Sequence, residues 1–270
     1  MIVRPLGKNL VVVRQPDHGL QTGVMARHWG NENVASFSPR HQVIEAAARH
    51  DNGWTLWDSR PALDEDGRPL QFFALPPHDH MAIYRAGIAE AAAANPWVGL
   101  LVSMHDVGLY NDRYGTWKVP ELRDTSSYST EEQAVIAEFV EEQEKLQARL
   151  AGDAVPHARH PVTTDPVVWY NYLLLQVWDR LSLQFALRGA ADGSISPMPT
   201  PGGGQSELRC FSAGTMTLRL DPYPFADSSC DLPVAATVVP NREYRNPEDF
   251  LEALLGGRPT VLECKAVGSA

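Results

Sequence analysis

The sequence predicts a mainly α-helical protein with a small β appendage. Between about residues 15 and 190, apolar residues recur at helical spacing and are interrupted by proline, glycine and capping residues. β-branched runs occur at the start of the chain and in its last quarter. We therefore expect a helical domain over residues 1–190, which includes an amino-terminal hairpin at 1–14, and an α+β appendage over 205–270 packed on the same unit.

The individual elements are predicted from periodicity and breakers. Two apolar runs around Gly7 predict the hairpin. Helices are predicted over about 16–30, 39–50, 78–94, 97–109, 130–152, from 161–166 to 187, and 247–255. Ser38 and Ser129 or Thr130 are the expected capping residues. Strands are predicted over 208–211, 215–220, 234–239 and 260–264, with a proline- and glycine-rich connector at 194–204 and long loops at 52–77 and 112–128.

Composition narrows the class of protein. With 270 residues and 44% hydrophobic content, the chain can bury a substantial core. A formal charge of −10 argues against a nucleic-acid partner, because such domains usually carry a basic face. The chain shows no signal-peptide pattern and no run of about eighteen apolar residues, so we expect a cytoplasmic protein without a membrane segment. We expect a small-molecule substrate, and a homo-oligomer is left open.

Histidines and aspartates recur in an order typical of a metal site. The pattern is H…HD…H…H…D, made by His18, His50, Asp51, His80, His105 and Asp179. His105 and Asp179 lie in apolar helical segments, where a buried imidazole or carboxylate needs a partner. Imidazole and carboxylate together suit a divalent transition metal, here Fe, Mn, Co or Zn. The family resemblance given below implies that there are two such ions. The three cysteines lack the spacing of a structural zinc site.

This order, with the tetrapeptide HDNG at residues 50–53, resembles the HD-domain superfamily. The resemblance implies an HD-domain-like helical bundle in which successive helices supply the ligands, with Gly53 allowing a sharp turn after the pair. Trp54 stands where many hydrolases of that superfamily have a lysine that contacts phosphate. At the level of the whole chain, the segments QPDHG, HDNGWTLWDSRPALD, LVSMHDVGLY and LRLDPYPF resemble the DUF3891 family, which has no established reaction.

We consider three hypotheses of function, of which the resemblance implies the first two. The favoured one is a phosphohydrolase-like enzyme in which Asp51 bridges two metal ions while Arg85, Arg113 and Lys118 contact an anionic substrate. The second is a mixed-valent di-iron oxygenase that uses the same ligands and O2. The third is a helical binding module without catalysis. We further expect the loop at 52–77 to cover the metals, with a pocket lined by Trp54, Trp57, Asp58, Tyr84 and Tyr110.

Overall fold

The computed structural model describes residues 1–32, 34–116 and 127–268. The helices in these ranges are α1 (Gln15–His28), α2 (Arg40–Arg49), α3 (Thr55–Asp58), α4 (Pro77–Ala94), α5 (Pro96–Gly108), α6 (Asp112–Gly115), α7 (Thr130–Ala154), α8 (Pro166–Arg188) and α9 (Pro247–Leu255). The strands are β1 (Ile2–Leu6), β2 (Asn9–Val13), β3 (Gly193–Pro199), β4 (Gln205–Gly214), β5 (Thr217–Asp221), β6 (Ser229–Asp231), β7 (Val234–Pro240), β8 (Arg258–Leu262) and β9 (Lys265–Val267).

Helix α8 lies at the centre of the helical layer. Every residue from Asn171 to Asp179 is buried, which is the pattern of a helix surrounded by other elements. It packs against α1, α2 and α5 and also against β1 and β3. The polar side chains that α8 carries are therefore held inside the protein.

Helices α1 and α2 approach each other closely through small residues. A methyl group added at Gly23 would lie 2.7 Å from the Cβ of Ala48, and one at Gly19 would lie 3.0 Å from the Ala48 carbonyl oxygen. Such separations leave no room for a larger side chain at either glycine. The close contact places His18 on α1 beside His50 at the end of α2, with ring centroids 5.3 Å apart.

Two sheets cover the helical layer. The four-stranded sheet has the order β1-β2-β7-β8 and is antiparallel throughout, with the hairpin joined to β7 through the pairs Asn9–Pro240 and Leu10–Val239. The five-stranded sheet has the order β3-β4-β5-β9-β6, in which β5 and β9 are parallel. Strands from both ends of the chain therefore build one sheet.

The prediction of a mainly α HD-domain-like bundle is wrong. About 51% of the residues are helical and 22% are in strands, and the two sheets have four and five strands, so the fold class is α+β. The sequence underestimated the sheets because strand partners far apart in the chain leave no local periodicity. In addition, strand β3 (Gly193–Pro199), whose Ile195 and Met198 are buried, occupies the first half of the segment 194–204 that was predicted as a connector.

The structure confirms one of the predicted helix caps and not the other. Of the two predicted capping residues, Ser129 and Thr130, it is Ser129 that caps α7, and it also forms a capping box with Glu132. Ser38 does not cap α2, which begins at Arg40 after Pro39 without a side-chain cap. The three cysteines are buried and free. In the parts of the chain that the structure describes, no helix combines the length and the apolar character needed to cross a membrane.

Candidate metal centre

Four helical segments bring five of the six predicted ligands together. His18 comes from α1, His50 and Asp51 follow the last residue of α2, His105 comes from α5 and Asp179 from α8. Ligand atoms of His18, His50 and Asp179 lie within 4.8 Å of one another, as do those of His50, Asp51 and His105. All five side chains are buried. We call these five residues the His/Asp cluster.

The two carboxylates stand between the imidazoles. His18 Nε2 is 3.0 Å from Asp179 Oδ1 and 3.6 Å from Asp51 Oδ2. His50 Nε2 is 3.3 Å from Asp51 Oδ2 and 3.7 Å from Asp179 Oδ1. Both histidines thus direct the same ring nitrogen at the same pair of oxygens, which is the arrangement expected of residues that share an ion.

Hydrogen bonds orient the His50 ring. Its Nδ1 lies 2.8 Å from the Ala47 carbonyl oxygen and donates a proton to it. In the neutral form of the ring the lone pair is therefore on Nε2, and this atom is buried without a hydrogen bond. A lone pair facing two carboxylates needs a positive charge between them, so the ring fits a metal ligand whose other nitrogen is held by the backbone.

A series of hydrogen bonds through Ser182 and Gln21 orients His18 in the same way. The Ser182 hydroxyl donates to Gln21 Oε1 and is therefore free to accept from His18 Nδ1, 2.6 Å away. This leaves the lone pair of His18 on Nε2, which faces Asp179 and Asp51. The side chain of Gln176 lies 3.0 Å from His105 Nδ1 and holds the third ring. Each imidazole of the His/Asp cluster thus has a polar partner behind it.

The charges of the cluster are strongly coupled. Burial disfavours the charged form of His50, but Asp51 and Asp179 outweigh it and raise the pKa of His50 well above its usual value. Burial also opposes ionisation of Asp179, yet the imidazoles of His18 and His50 beside it hold its pKa well below the usual range. Burial and the neighbouring His50 lower the pKa of His105 to about 3, so this ring is neutral near pH 7. The site stabilises a positive charge between its carboxylates.

The donor set fits a transition metal. Three imidazoles and two carboxylates are available, and zinc, iron, manganese and cobalt accept such mixed shells. Magnesium and calcium prefer shells of oxygen alone, which this cluster does not provide. The orphaned Nε2 of His50 is the observation that argues most directly for a metal ligand.

His80, the remaining predicted ligand, lies outside the His/Asp cluster. Its Nδ1 is 2.6 Å from the hydroxyl of Tyr110 and its Nε2 is 2.7 Å from the carbonyl oxygen of Phe72. Both ring nitrogens therefore have protein partners. The ring also packs edge-on against Trp54, with centroids 5.3 Å apart. His80 links α4 to the chain before it and to the end of α5.

The predicted anion contacts are separated by the fold. The guanidinium of Arg113 is buried, and its Nη2 lies 3.5 Å from Asp179 Oδ2, at the edge of the His/Asp cluster. Arg85 lies on the surface, where its Nε donates to Glu142 Oε2 over 2.8 Å. Lys118 lies outside the described residues. Of the two described cations, the structure brings only Arg113 to the cluster.

The predicted pocket residues are packed into the protein or onto its amino end. Trp54 is buried against His80 and Tyr84, and Tyr84 in turn packs on Phe139. Asp58 accepts hydrogen bonds from the Met1 ammonium group at 2.8 Å and from the Gln15 backbone N–H at 2.7 Å.

The remaining pocket residues contact the core and His80, and the rest of the loop is bonded to backbone segments at both ends of the chain. Trp57 is half-buried against the core, and Tyr110 bonds to His80. Further along the loop, Gln71 bonds to the backbone of Val3 and Gly67 to that of Tyr244.

Gly53 has a different role from the predicted one. It does not adopt a left-handed conformation, so a sharp turn does not explain it. A methyl group at this position would lie 2.3 Å from the carbonyl oxygen of Ile83 and 3.1 Å from the nitrogen of Gly87 on α4. Glycine here permits the backbone after the His50–Asp51 pair to touch the backbone of α4.

Asp106 is a neighbour of the site that the sequence analysis missed. It is 1% exposed, and its Oδ1 has no hydrogen bond. Burial and the nearby Asp51 raise its pKa well above the usual value. The dipeptide His105-Asp106 repeats the pair His50-Asp51, and this repetition was the available signal. Ser182 and Gln21 carried no comparable signal, because their partners are distant in sequence.

Comparison with known proteins gives the family of the chain. A family model described as "Protein of unknown function (DUF3891)" matches residues 1–241. No curated protein and no solved structure matches the chain. Because the match spans most of the 270 residues, this chain belongs to the DUF3891 family.

Proposed function

We propose that this protein is a metal-dependent hydrolase that acts on a small molecule, with the His/Asp cluster as its metal centre. The observation that carries the proposal is the convergence of His18, His50, Asp51, His105 and Asp179 within one buried region. A structural core has no need to bury three imidazoles beside two carboxylates, because each costs free energy of desolvation. These residues are five of the six in the H…HD…H…H…D order that resembles HD-domain enzymes, and His80 is the one that lies outside the cluster.

The roles of the residues follow from their positions. Asp51 faces both His18 and His50, so it is the candidate to bridge two ions. A divalent ion held in the cluster would supply a Lewis acid and lower the pKa of a water molecule. Arg113 lies beside Asp179 and contributes a permanent positive charge that favours an anionic substrate. These are the elements of metal-assisted hydrolysis.

Metal content and oxygen dependence test the proposal. We would purify the protein with and without oxygen, measure bound metals, and assay a panel of phosphate and carboxylic esters before and after chelation. We expect at least one transition-metal ion per chain and hydrolysis that chelation abolishes and metal restores, with or without oxygen. Two irons with oxygen consumption would instead assign the protein to oxygenases. A protein that binds no metal would be a binding module.

A matched pair of variants makes the metal measurement specific. His50→Ala should remove bound metal, whereas His41→Ala, at an exposed position in the helix α2 that precedes His50, should leave metal content unchanged. Equal loss in both variants would indicate damage to α2 rather than removal of a ligand.

A further inference from the structure

Tyr172 is a fully buried residue of α8 whose ring is held by two aromatic neighbours. Trp169 stacks on it, with ring centroids 5.0 Å apart and planes inclined by 28°. Tyr114 meets the same ring edge-on, with centroids 5.3 Å apart. A phenylalanine at this position would make the same ring contacts, so packing does not account for the hydroxyl.

The hydroxyl of Tyr172 has no hydrogen-bond partner among the residues that the structure describes. Buried tyrosine hydroxyls usually find one, because an unpaired buried polar group costs free energy. Two nearby tyrosines follow this rule. Tyr170 donates to the Ala35 carbonyl oxygen over 3.2 Å, and Tyr114 donates to Gln147 Oε1 over 3.3 Å. The Tyr172 hydroxyl is therefore available to a bound molecule.

The end of α5 leaves room for this hydroxyl. Gly108 is the last residue of α5, and a methyl group there would lie 2.3 Å from the Tyr172 oxygen and 3.3 Å from the ring carbon that carries it. A larger residue at this position would displace the hydroxyl. Gly108 follows the candidate ligand His105 by about one helical turn. The hydroxyl therefore lies beside the turn of α5 that follows this ligand.

The same face of α8 carries Tyr172 and a candidate ligand. Tyr172, Gln176 and Asp179 follow one another at intervals of four and three residues, which is the spacing of neighbours on one helix face. Gln176 reaches His105, and Asp179 belongs to the His/Asp cluster. Burial raises the pKa of Tyr172, and the nearby charges of Arg113 and Asp179 act on it in opposite directions. The phenol therefore stays protonated near pH 7 and can donate a hydrogen bond.

Other unpaired polar atoms lie on or beside the residues of the cluster. Gln176 Oε1, Asp106 Oδ1 and His50 Nε2 are buried and, like the Tyr172 hydroxyl, have no hydrogen bond within the described ranges. Gln176 is the partner of His105, and Asp106 follows His105 in α5. Buried polar groups are normally hydrogen-bonded. A polar molecule bound at the cluster would supply a common partner for these atoms.

We propose that the Tyr172 hydroxyl donates a hydrogen bond to an oxygen of the substrate at the His/Asp cluster and is a further catalytic residue. This inference rests on the proposed function. The substrate class is a carboxylic or phosphoric ester, whose non-bridging oxygen gains negative charge as the reaction proceeds. A donor fixed at that oxygen stabilises the charge in the transition state.

The atoms of the reaction balance without a proton from Tyr172. The oxygen of a water molecule bonds to the carbonyl carbon or phosphorus of the ester, and the bond to the leaving oxygen breaks. The proton that the water releases ends on the leaving oxygen, which departs as an alcohol. Tyr172 keeps its own proton throughout and acts only as a hydrogen-bond donor.

Two tyrosine-to-phenylalanine variants of α8 form a matched test. Tyr172→Phe removes the unpaired hydroxyl, whereas Tyr170→Phe removes one that bonds to Ala35. With an ester that the wild-type protein hydrolyses, we expect Tyr172→Phe to lower kcat by about 100-fold or more, the usual effect of losing one oxyanion donor. Tyr170→Phe should leave kcat unchanged. The urea midpoint should show the reverse order, falling in Tyr170→Phe and staying or rising in Tyr172→Phe.

A binding measurement extends the test to protein without turnover. The wild-type protein and both variants would be loaded with cobalt and titrated with inorganic phosphate while the visible spectrum of the metal is recorded. We expect Tyr172→Phe to bind phosphate about tenfold more weakly than wild type, because a hydrogen bond to a charged group is lost. Tyr170→Phe should bind phosphate as wild type does.

The outcomes separate this inference from the proposed function. A kcat in Tyr172→Phe equal to that of wild type overturns the role of Tyr172 and leaves the hydrolase in place. So does a urea midpoint that falls as far in Tyr172→Phe as in Tyr170→Phe, since the hydroxyl would then have a protein partner.

Protein that binds cobalt but hydrolyses no ester overturns the proposed hydrolase. In that case phosphate binding that depends on Tyr172 supports its contact with the metal-bound molecule, and phosphate binding that is absent or independent of Tyr172 overturns it. Protein that binds no metal overturns both proposals.

Discussion

His18 Nε2 and Asp179 Oδ1 lie 3.0 Å apart although 161 residues separate them in the chain. The contact joins α1 to the buried face of α8, and Ser182, one turn further along α8, holds the other nitrogen of the same ring. One helix therefore supplies both a candidate ligand and the group that orients a second ligand. Candidate ligands such as Asp179 and residues that orient a ligand, such as Ser182, should therefore respond differently to substitution.

Removal of His18 should strongly weaken metal binding with little loss of helix. We expect His18→Ala to weaken metal affinity by more than about 100-fold, because even residues behind metal ligands change affinity by about 10–100-fold. Elemental analysis and metal titration provide the measurement. His28→Ala, at the exposed end of the same helix, is the control. Full metal occupancy in His18→Ala would remove this residue from the site.

Ser182→Ala should weaken metal binding without touching the metal. Loss of the hydroxyl removes the acceptor that orients His18, so we expect metal affinity to fall by about 10–100-fold. Ser103→Ala removes another fully buried hydroxyl, which bonds to Gln143 and Gln147 instead. Both variants should lose comparable stability, and only the first should lose affinity. Equal affinities in the two variants would count against the supporting role of Ser182.

His80 should prove structural. Tyr110→Phe removes its hydroxyl partner, and we expect a loss of about 1 kcal/mol in the free energy of unfolding with unchanged metal content. His80→Ala should cost more stability, because the carbonyl of Phe72 also loses its donor. Urea denaturation and metal analysis of the same samples measure both quantities. Loss of metal from a folded His80→Ala variant would return His80 to the ligand set.

Gly53→Ala should destabilise the protein. The added methyl group would meet the backbone of α4, and overpacking of this kind costs about 1–3 kcal/mol. Gly152→Ala is the matched control, since nothing lies within 4 Å of a methyl group there and the residue is inside α7. We expect that variant to gain about 0.5–1 kcal/mol from helix propensity. Thermal unfolding of the two variants tests the opposite signs.

Asp249 should contribute to stability at neutral pH and lose this contribution in acid. The guanidinium of Arg242 bonds both of its oxygens at 2.8 Å and holds the pKa of this carboxyl well below its usual value. A lowered folded-state pKa means that the unfolded chain binds the proton more readily. The contribution is therefore complete above the unfolded pKa, roughly 4, and is lost as the pH falls through the folded pKa. Asp249→Asn should show a flatter decline of stability below about pH 5; a parallel decline in both proteins would exclude this role.

Local sequence information was sufficient for much of the helical layer. Periodicity and capping residues predicted helices that the structure contains, including α7 after Ser129 and α5 after the Asn95-Pro96 break. The order of histidines and aspartates, which resembles the HD-domain pattern, selected His18, His50, Asp51, His80, His105 and Asp179. For His105 and Asp179 an apolar helical context added the argument that a buried imidazole or carboxylate needs a partner. These signals are readable because helix formation and desolvation depend on neighbours within a turn or two.

Tertiary structure decided which of these residues meet. His80 has the same sequence context as a ligand, yet the position of Tyr110 and the Phe72 carbonyl turns it away from the cluster. The hairpin at the amino end pairs with β7, more than 200 residues away, and no periodicity in either segment specifies that partner. Arg113 reaches Asp179 only through a left-handed turn that packing maintains. Strand pairing, the position of His80 outside the cluster and the left-handed turn at Arg113 all depend on contacts between segments that are distant in the chain. The local sequence around each residue does not specify such contacts.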